Sequence, residues 1–245
     1  MANKNRKDRC VYCLRFRNGI TDDHVIPKSW YPDTTPNNME KWQVPACPEC
    51  NSKYSKVEGE LLQLMGLCLE PGDYASLGIA EKAVRAFMPS VARDDKDKQV
   101  RAKQLHFLMK SIIPYEQIPS ESVFPGFGPH PHGTPDEQVG IPVPERSLKV
   151  LGEKLVRGIM YKQFNTYIDD AYEIGIWFAH EKEAQLLIQG IKLHGKEYIR
   201  GPGIRVALAS TIDDPKSGAF DIEIWRKFRM YATVLPVQRV NPVSK

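Results

Sequence analysis

The chain has 245 residues, 42% hydrophobic and 26% charged, with a net charge of +4 and a pI near 8.7. That is enough for one sizeable domain or a small module plus a larger one, and the mild basicity permits a nucleic-acid partner without demanding one. No apolar run reaches the length of a membrane span, the N-terminus lacks the apolar core of a signal peptide, and the five cysteines do not form a disulfide framework, so a cytoplasmic location is expected.

Residues 1–58 form the first zone. Lys4, Arg6, Lys7, Arg9, Arg15 and Arg17 face Asp8 alone, so this arm can account for the whole chain's positive excess. Two close pairs follow, Cys10-x-x-Cys13 and Cys47-x-x-Cys50. Two such knuckles can supply four thiolates to a tetrahedral Zn²⁺ with little strain, and a four-thiolate set leaves no open position for water, so the ion would be structural. A redox dithiol would need a βαβ context that neither pair has. The stretch from Leu14 to Ala46 must then be a structured excursion held at its base by the metal. Pro27, Pro32, Pro36, Pro45 and Asn37-Asn38 break up any long helix within it. Inside it lies Asp23-His24, and Asn51 follows the last cysteine. An imidazole offers a base near neutral pH, and the carboxylate and amide oxygens offer hard ligands for a hydrated Mg²⁺. Trp30 and Tyr31 are candidates for base stacking or for burial in a small zinc-held core.

Residues 59–113 are predicted helical. Leu61, Leu62, Leu64 and Met65 begin one apolar stripe, and Cys68 is expected to be a small buried hydrophobe. A second helix is expected over Ile79–Phe87 with Val84 and Phe87 on one face. A third is expected over Asp94–Ile113, with Val100, Leu105, Leu108, Met109 and Ile112 as its apolar side. Residues 114–145 hold eight prolines and several glycines and read as a linker or a long ordered loop; its His130-Pro131-His132 reads as exposed loop rather than a metal site.

Residues 146–245 are predicted α+β. Ser147 is expected to cap a helix reaching Phe164, with Leu148, Leu151, Leu155, Ile159 and Met160 on its core face. Strands are expected at Tyr172–Phe178, Ile204–Leu208, Phe220–Trp225 and Phe228–Val237, with a short helix over Glu181–Leu193. Arginines on these elements alternate with Asp221 and Glu223, which suggests a solvated surface.

The order C-x-x-C, D-H-x-x-P-K-S, P-x-C-x-x-C-N resembles the HNH endonucleases of the ββα-metal class, in the variant with a four-cysteine zinc. The resemblance covers about residues 10–58. It implies an N-terminal module in which a β-hairpin and a following helix grip one catalytic divalent ion, Mg²⁺ or another. By the resemblance His24 is the general base that activates water. Asp23 and Asn51 are ligands of the catalytic ion, and the products are a 5′-phosphate and a 3′-hydroxyl. The family's middle asparagine, which orients the base, would fall near Trp42 here; Asn38 is the candidate for that role, with Asn37 the alternative. Arg15, Arg17, Lys28, Lys53 and Lys56 are candidate phosphate contacts.

The expected fold is therefore α+β: a zinc-stabilised ββα-metal module, then helices, then a helix and antiparallel-sheet domain. The expected partner is nucleic acid, taken as double-stranded DNA, with residues 59–245 leaving room for a homodimer, a protein partner or target recognition, as in defence or restriction systems. The alternative is a zinc-stabilised nucleic-acid-binding or assembly protein without catalysis. A self-sufficient nuclease module would survive, in part, truncation after Lys56.

Overall fold

The computed structural model describes residues 6–119, 123–128 and 138–237, so the His130-Pro131-His132 segment lies outside the described residues. The fold is α+β, with the N-terminal module followed by helices and a C-terminal five-stranded antiparallel sheet.

Two small hairpins open the chain. Strands β1 (Lys7–Arg9) and β2 (Phe16–Asn18) pair around the first cysteine knuckle, where Leu14 takes a left-handed φ of 62° to close the turn. Strands β3 (Thr21–His24) and β4 (Gln43–Ala46) pair antiparallel, with His24 opposite Gln43. The prolines of the excursion hold the chain between them in turns and one short 3₁₀ turn at Lys28–Trp30. Helix α1 (Pro48–Gly66) starts at a proline, whose missing N–H costs nothing in the first turn.

Helices α2 (Ile79–Ala86) and α3 (Asp95–Ser111) follow, the latter capped by Asp94, whose side chain accepts from the Asp97 N–H at 2.7 Å. Strands β5 (Ile113–Pro114) and β6 (Val139–Gly140) make a minimal pair. Helix α4 (Glu145–Phe164) ends at Asn165 in the left-handed conformation. Then come β7 (Tyr172–Trp177), α5 (Gln185–His194), β8 (Lys196–Gly201), β9 (Ile204–Ser210), β10 (Gly218–Ile224) and β11 (Phe228–Pro236). The sheet order is β7-β11-β10-β9-β8.

One hydrophobic cluster joins both ends of the chain. It holds Val25, Trp30 and Val44 from the N-terminal hairpin, Leu61 from α1, Leu151, Leu155 and Ile159 from α4, and Ile222, Phe228 and Met230 from the sheet, all at most 1% exposed. Each large apolar side chain so buried contributes about 1.5–3 kcal/mol. The expected boundary at residue 58 falls inside α1, which runs through it without a break. Cutting after Lys56 would therefore strip the N-terminal hairpin of its packing partners.

Several local expectations are corrected. Val100 and Met109 of α3 are 47% and 63% exposed, and only Leu108 of this helix is buried, because among the described residues α3 packs chiefly on the turn at Pro89–Val91. In α2 the buried face is Ile79, Ala80 and Ala83, leaving Val84 exposed. Ser147 lies within the first turn of α4 and donates to Glu60 of α1 at 2.8 Å instead of capping. Cys68 is exposed, its thiol turned onto the Leu64 carbonyl. Strand β8 was not expected. Asp221, read as solvated, is buried and held by Arg205 and Arg229 at 2.7 and 2.8 Å.

Candidate active site and cysteine knuckles

The sequence places the four cysteines on two rigid supports. Cys10 and Cys13 sit on the turn between β1 and β2, where the Cys10 N–H bonds the Arg15 carbonyl and the Leu14 N–H bonds the Cys10 carbonyl. Cys47 precedes the first turn of α1 and Cys50 lies in that turn. The four sulfurs lie within 4.8 Å of one another and are positioned to bind a metal ion. Cys10 and Cys47 are buried, and Cys13 and Cys50 are half-buried. Burial first, and then the charge of the neighbouring thiols, pushes the Cys50 thiol upward; a cation among the four sulfurs would offset that cost.

The two knuckles lie together, with the Cys47 N–H donating to Cys10 Sγ at 3.4 Å, and so set α1 against the second hairpin. Alternation along β3 sends Thr21 and Asp23 to one side and Asp22 and His24 to the other. Asn51, one turn into α1, reaches Thr21: its Nδ2 donates to Thr21 Oγ1 at 3.3 Å, and its Oδ1 accepts from Ser55 Oγ at 3.3 Å. Asn51, Ser55 and Glu58 recur at helical spacing and so share a face of α1. The result is a pocket of about 590 Å³ whose lining includes Asp23, His24, Lys28, Asn51, Ser55 and Glu58.

Asp23 is 8% exposed and strongly held. Tyr12, between the first two cysteines, donates its hydroxyl to Asp23 Oδ2 at 2.8 Å, and Lys154 Nζ lies 3.0 Å from the same oxygen. Burial, then the Asp23 charge, raises the Tyr12 phenol well above its ordinary value, so it stays a donor. Burial raises the Glu58 carboxyl, against the opposing pull of Lys154. The His24 imidazole is held below its ordinary value, by burial first; the Asp23 charge opposes this, and Lys28, Lys154 and Lys41 add to it. Gln43 Nε2 lies 3.3 Å from His24 Nε2.

The structure thus gathers Asp23, His24, Lys28 and Asn51 around one pocket. It does not bring Asn38 there. Asn38 is exposed in the turn after Pro36, and no hydrogen bond among the described residues joins it to His24. The strand register places Gln43, not Asn38, against the imidazole, and Trp42 turns into the core at 2% exposed. Arg15, Arg17, Lys53 and Lys56 lie outside the pocket lining, and Arg17 pairs with Glu49 at 3.7 Å. Trp30 and Tyr31 are buried, at 0% and 4%, which removes base stacking.

Sequence reading missed Tyr12, Gln43, Ser55, Glu58 and Lys154. The spacing Asn51, Ser55, Glu58 was a visible signal for two of them. A lysine within the apolar stripe of α4 was the signal for Lys154.

Residues 10–56 match the family model of the HNH endonucleases, so the segment that builds the knuckles, the β3–β4 hairpin and the start of α1 is an HNH endonuclease domain. That domain is one of a nuclease family acting on nucleic acid, and the family employs a divalent ion. No curated protein and no solved structure matches the chain. Among the described residues no helix is long and apolar enough to cross a membrane.

Proposed function

We propose that this protein is a metal-dependent endonuclease that hydrolyses phosphodiester bonds in double-stranded DNA. The observation that carries the reading is the convergence of Asp23, His24 and Asn51 on one pocket inside the segment matched by the HNH family.

The cysteine set fits zinc. Tetrahedral arms of ~2.3 Å give sulfur–sulfur edges of about 3.8 Å. The Cys13 and Cys47 sulfurs lie 3.8 Å apart. Four thiolates would close the coordination sphere, so such an ion would pin the hairpin to α1 and take no part in chemistry. Unbridged thiol pairs suit a reducing compartment such as the cytoplasm.

In the pocket, Asp23 and Asn51 would hold Mg²⁺ or another divalent ion by a carboxylate and an amide oxygen. When bound, that ion supplies charge stabilisation for the scissile phosphate and the departing 3′ oxygen. His24 accepts the proton of the attacking water. Gln43 takes the orienting role expected of Asn38. Its amide contact has two forms, differing only by a half-turn of the amide: Nε2 donating to the ring, or Oε1 accepting from the ring Nε2–H. Only the second leaves His24 Nδ1 unprotonated and able to serve as base. Lys28, exposed at the pocket, meets a phosphate, and Arg15, Lys53 and Lys56 add screening along the surface. One pocket cuts one strand, so a double-strand cut takes a homodimer or two events.

Plasmid relaxation tests the reading. Wild-type protein should nick supercoiled DNA with Mg²⁺ or Mn²⁺ and stop with EDTA. His24→Ala should keep its zinc and its DNA binding and lose nicking. DNA binding by a wild type that nicks neither DNA nor RNA with any divalent ion would return the chain to a non-catalytic binding protein.

A further inference from the structure

The pocket is completed from outside the family match. Helix α4 sends Lys154 through the core to the underside of Asp23, and its side chain is 0% exposed. Its ammonium has three N–H donors and meets three acceptors: Asp23 Oδ2 at 3.0 Å, the His24 carbonyl oxygen at 2.6 Å, and Glu58 Oε1. Glycine lets the helix come this close. A Cβ on Gly158, one turn further along α4, would sit 2.9 Å from the Val25 side chain.

We infer that Lys154 is a positioning residue of the nuclease centre, fixing the Asp23 carboxylate and the His24 main chain, so that α4 is an obligatory part of the active site. The inference rests on the nuclease reading above. Three observations give it content. First, among the described residues the Tyr12 hydroxyl, by a hydrogen bond, and the Lys154 ammonium, by an ion pair, both act on Asp23 Oδ2. The carboxylate is thereby pinned by one oxygen and offers the other to a ligand. Second, the bond to the His24 carbonyl anchors the main chain next to the imidazole, and so sets where the base can point. Third, Asp23 and Glu58 share one cation in a buried setting, where two uncompensated carboxylates would repel. A lysine, with a compact charge and freely rotating donors, suits three acceptors arranged around a point.

The test separates positioning from charge. In the double variant Lys154→Met/Glu58→Gln one positive and one negative group vanish together, so the charge facing a bound cation is unchanged. The full-length wild type and double variant are compared for zinc content, thermal melting, Mn²⁺ binding by the loss of the free-ion electron paramagnetic resonance signal, and nicking kinetics. The expected result is a folded, zinc-loaded variant whose Mn²⁺ affinity and kcat each fall about 10–100-fold, the range typical of lost outer partners of a ligand. KM for DNA stays within about twofold. A folded variant whose Mn²⁺ affinity and kcat stay within about twofold of wild type overturns the inference. If the double variant does not fold, Lys154→Arg carries the same criteria, since it keeps charge and length but replaces a point of donors by a planar fork. A wild type that binds no Mn²⁺ and never nicks DNA instead sinks the nuclease reading, and the role of Lys154 with it.

Discussion

The indole N–H of Trp225 donates to the main-chain carbonyl of Trp30 at 2.7 Å, with the two rings 4.7 Å apart. Trp225 occupies the tight turn between β10 and β11, and it and Arg226 both take left-handed φ angles, 58° and 55°. Such turns favour asparagine and glycine, so a tryptophan here is held in place by what it buries. It fastens the C-terminal sheet to the N-terminal module.

Trp225→Ala should therefore destabilise the whole protein by about 3–5 kcal/mol, the cost of emptying a large aromatic site. Urea unfolding should stay a single transition and shift to lower denaturant, read equally by zinc release and by circular dichroism. Two separated transitions, with zinc release unchanged, would show that the N-terminal module is stable without the sheet.

The pH dependence of nicking follows from His24. Its imidazole is held below its ordinary value, burial being the main cause. A general base works only when neutral, so kcat/KM should climb with pH with its midpoint below about 6.5, the unperturbed histidine value. A divalent ion beside Asp23 pushes in the same direction. Gln43→Glu puts a negative charge against the ring, favours the imidazolium, and should move this rise to higher pH. Asn38→Ala should leave rate and profile within about twofold of wild type. The opposite pattern, with Asn38→Ala inactive and Gln43→Glu silent, would return the orienting role to Asn38.

Metal removal should have two distinct effects. EDTA at low concentration takes only the ion of the pocket, and added Mg²⁺ restores nicking at once. Stripping the thiolate site under mild acid or with a thiol-reactive reagent also removes the clamp between the two hairpins and α1. Metal binding there is coupled to folding, so Mg²⁺ alone should not restore activity, while zinc with reductant should. Full recovery by Mg²⁺ alone would mean that the thiolate ion is dispensable.

Much of the site was legible because it is written in short spacings. The two C-x-x-C pairs and the run from Asp23 to Ser29 need no tertiary knowledge, and Asn51 is fixed by the helix that follows Cys50. Gln43 was not legible, since the excursion is rich in turns and nothing in it fixes the register between His24 and its partner strand; a slip of one residue exchanges the two faces. Lys154 was hidden by distance along the chain. Its position in the stripe of Leu151 and Leu155 marked it as odd, but only the packing of α4 against β4 and α1 says what it meets. Strand β8 carries Lys196, Glu197 and Arg200 and joins the sheet at its edge, where polar residues are tolerated. Helix α3 shows the reverse failure: Val100 and Met109 carry the period of a buried stripe, yet among the described residues no element covers them.

The most direct measurement is an anomalous difference map from crystals of the wild-type protein soaked in Mn²⁺. Two metal peaks per chain are expected: zinc among the four cysteine sulfurs, and manganese in the pocket between Asp23 and Asn51, with the His24 ring turned toward it. A zinc peak alone, with the His24 ring turned out of a metal-free pocket at saturating Mn²⁺, would contradict it.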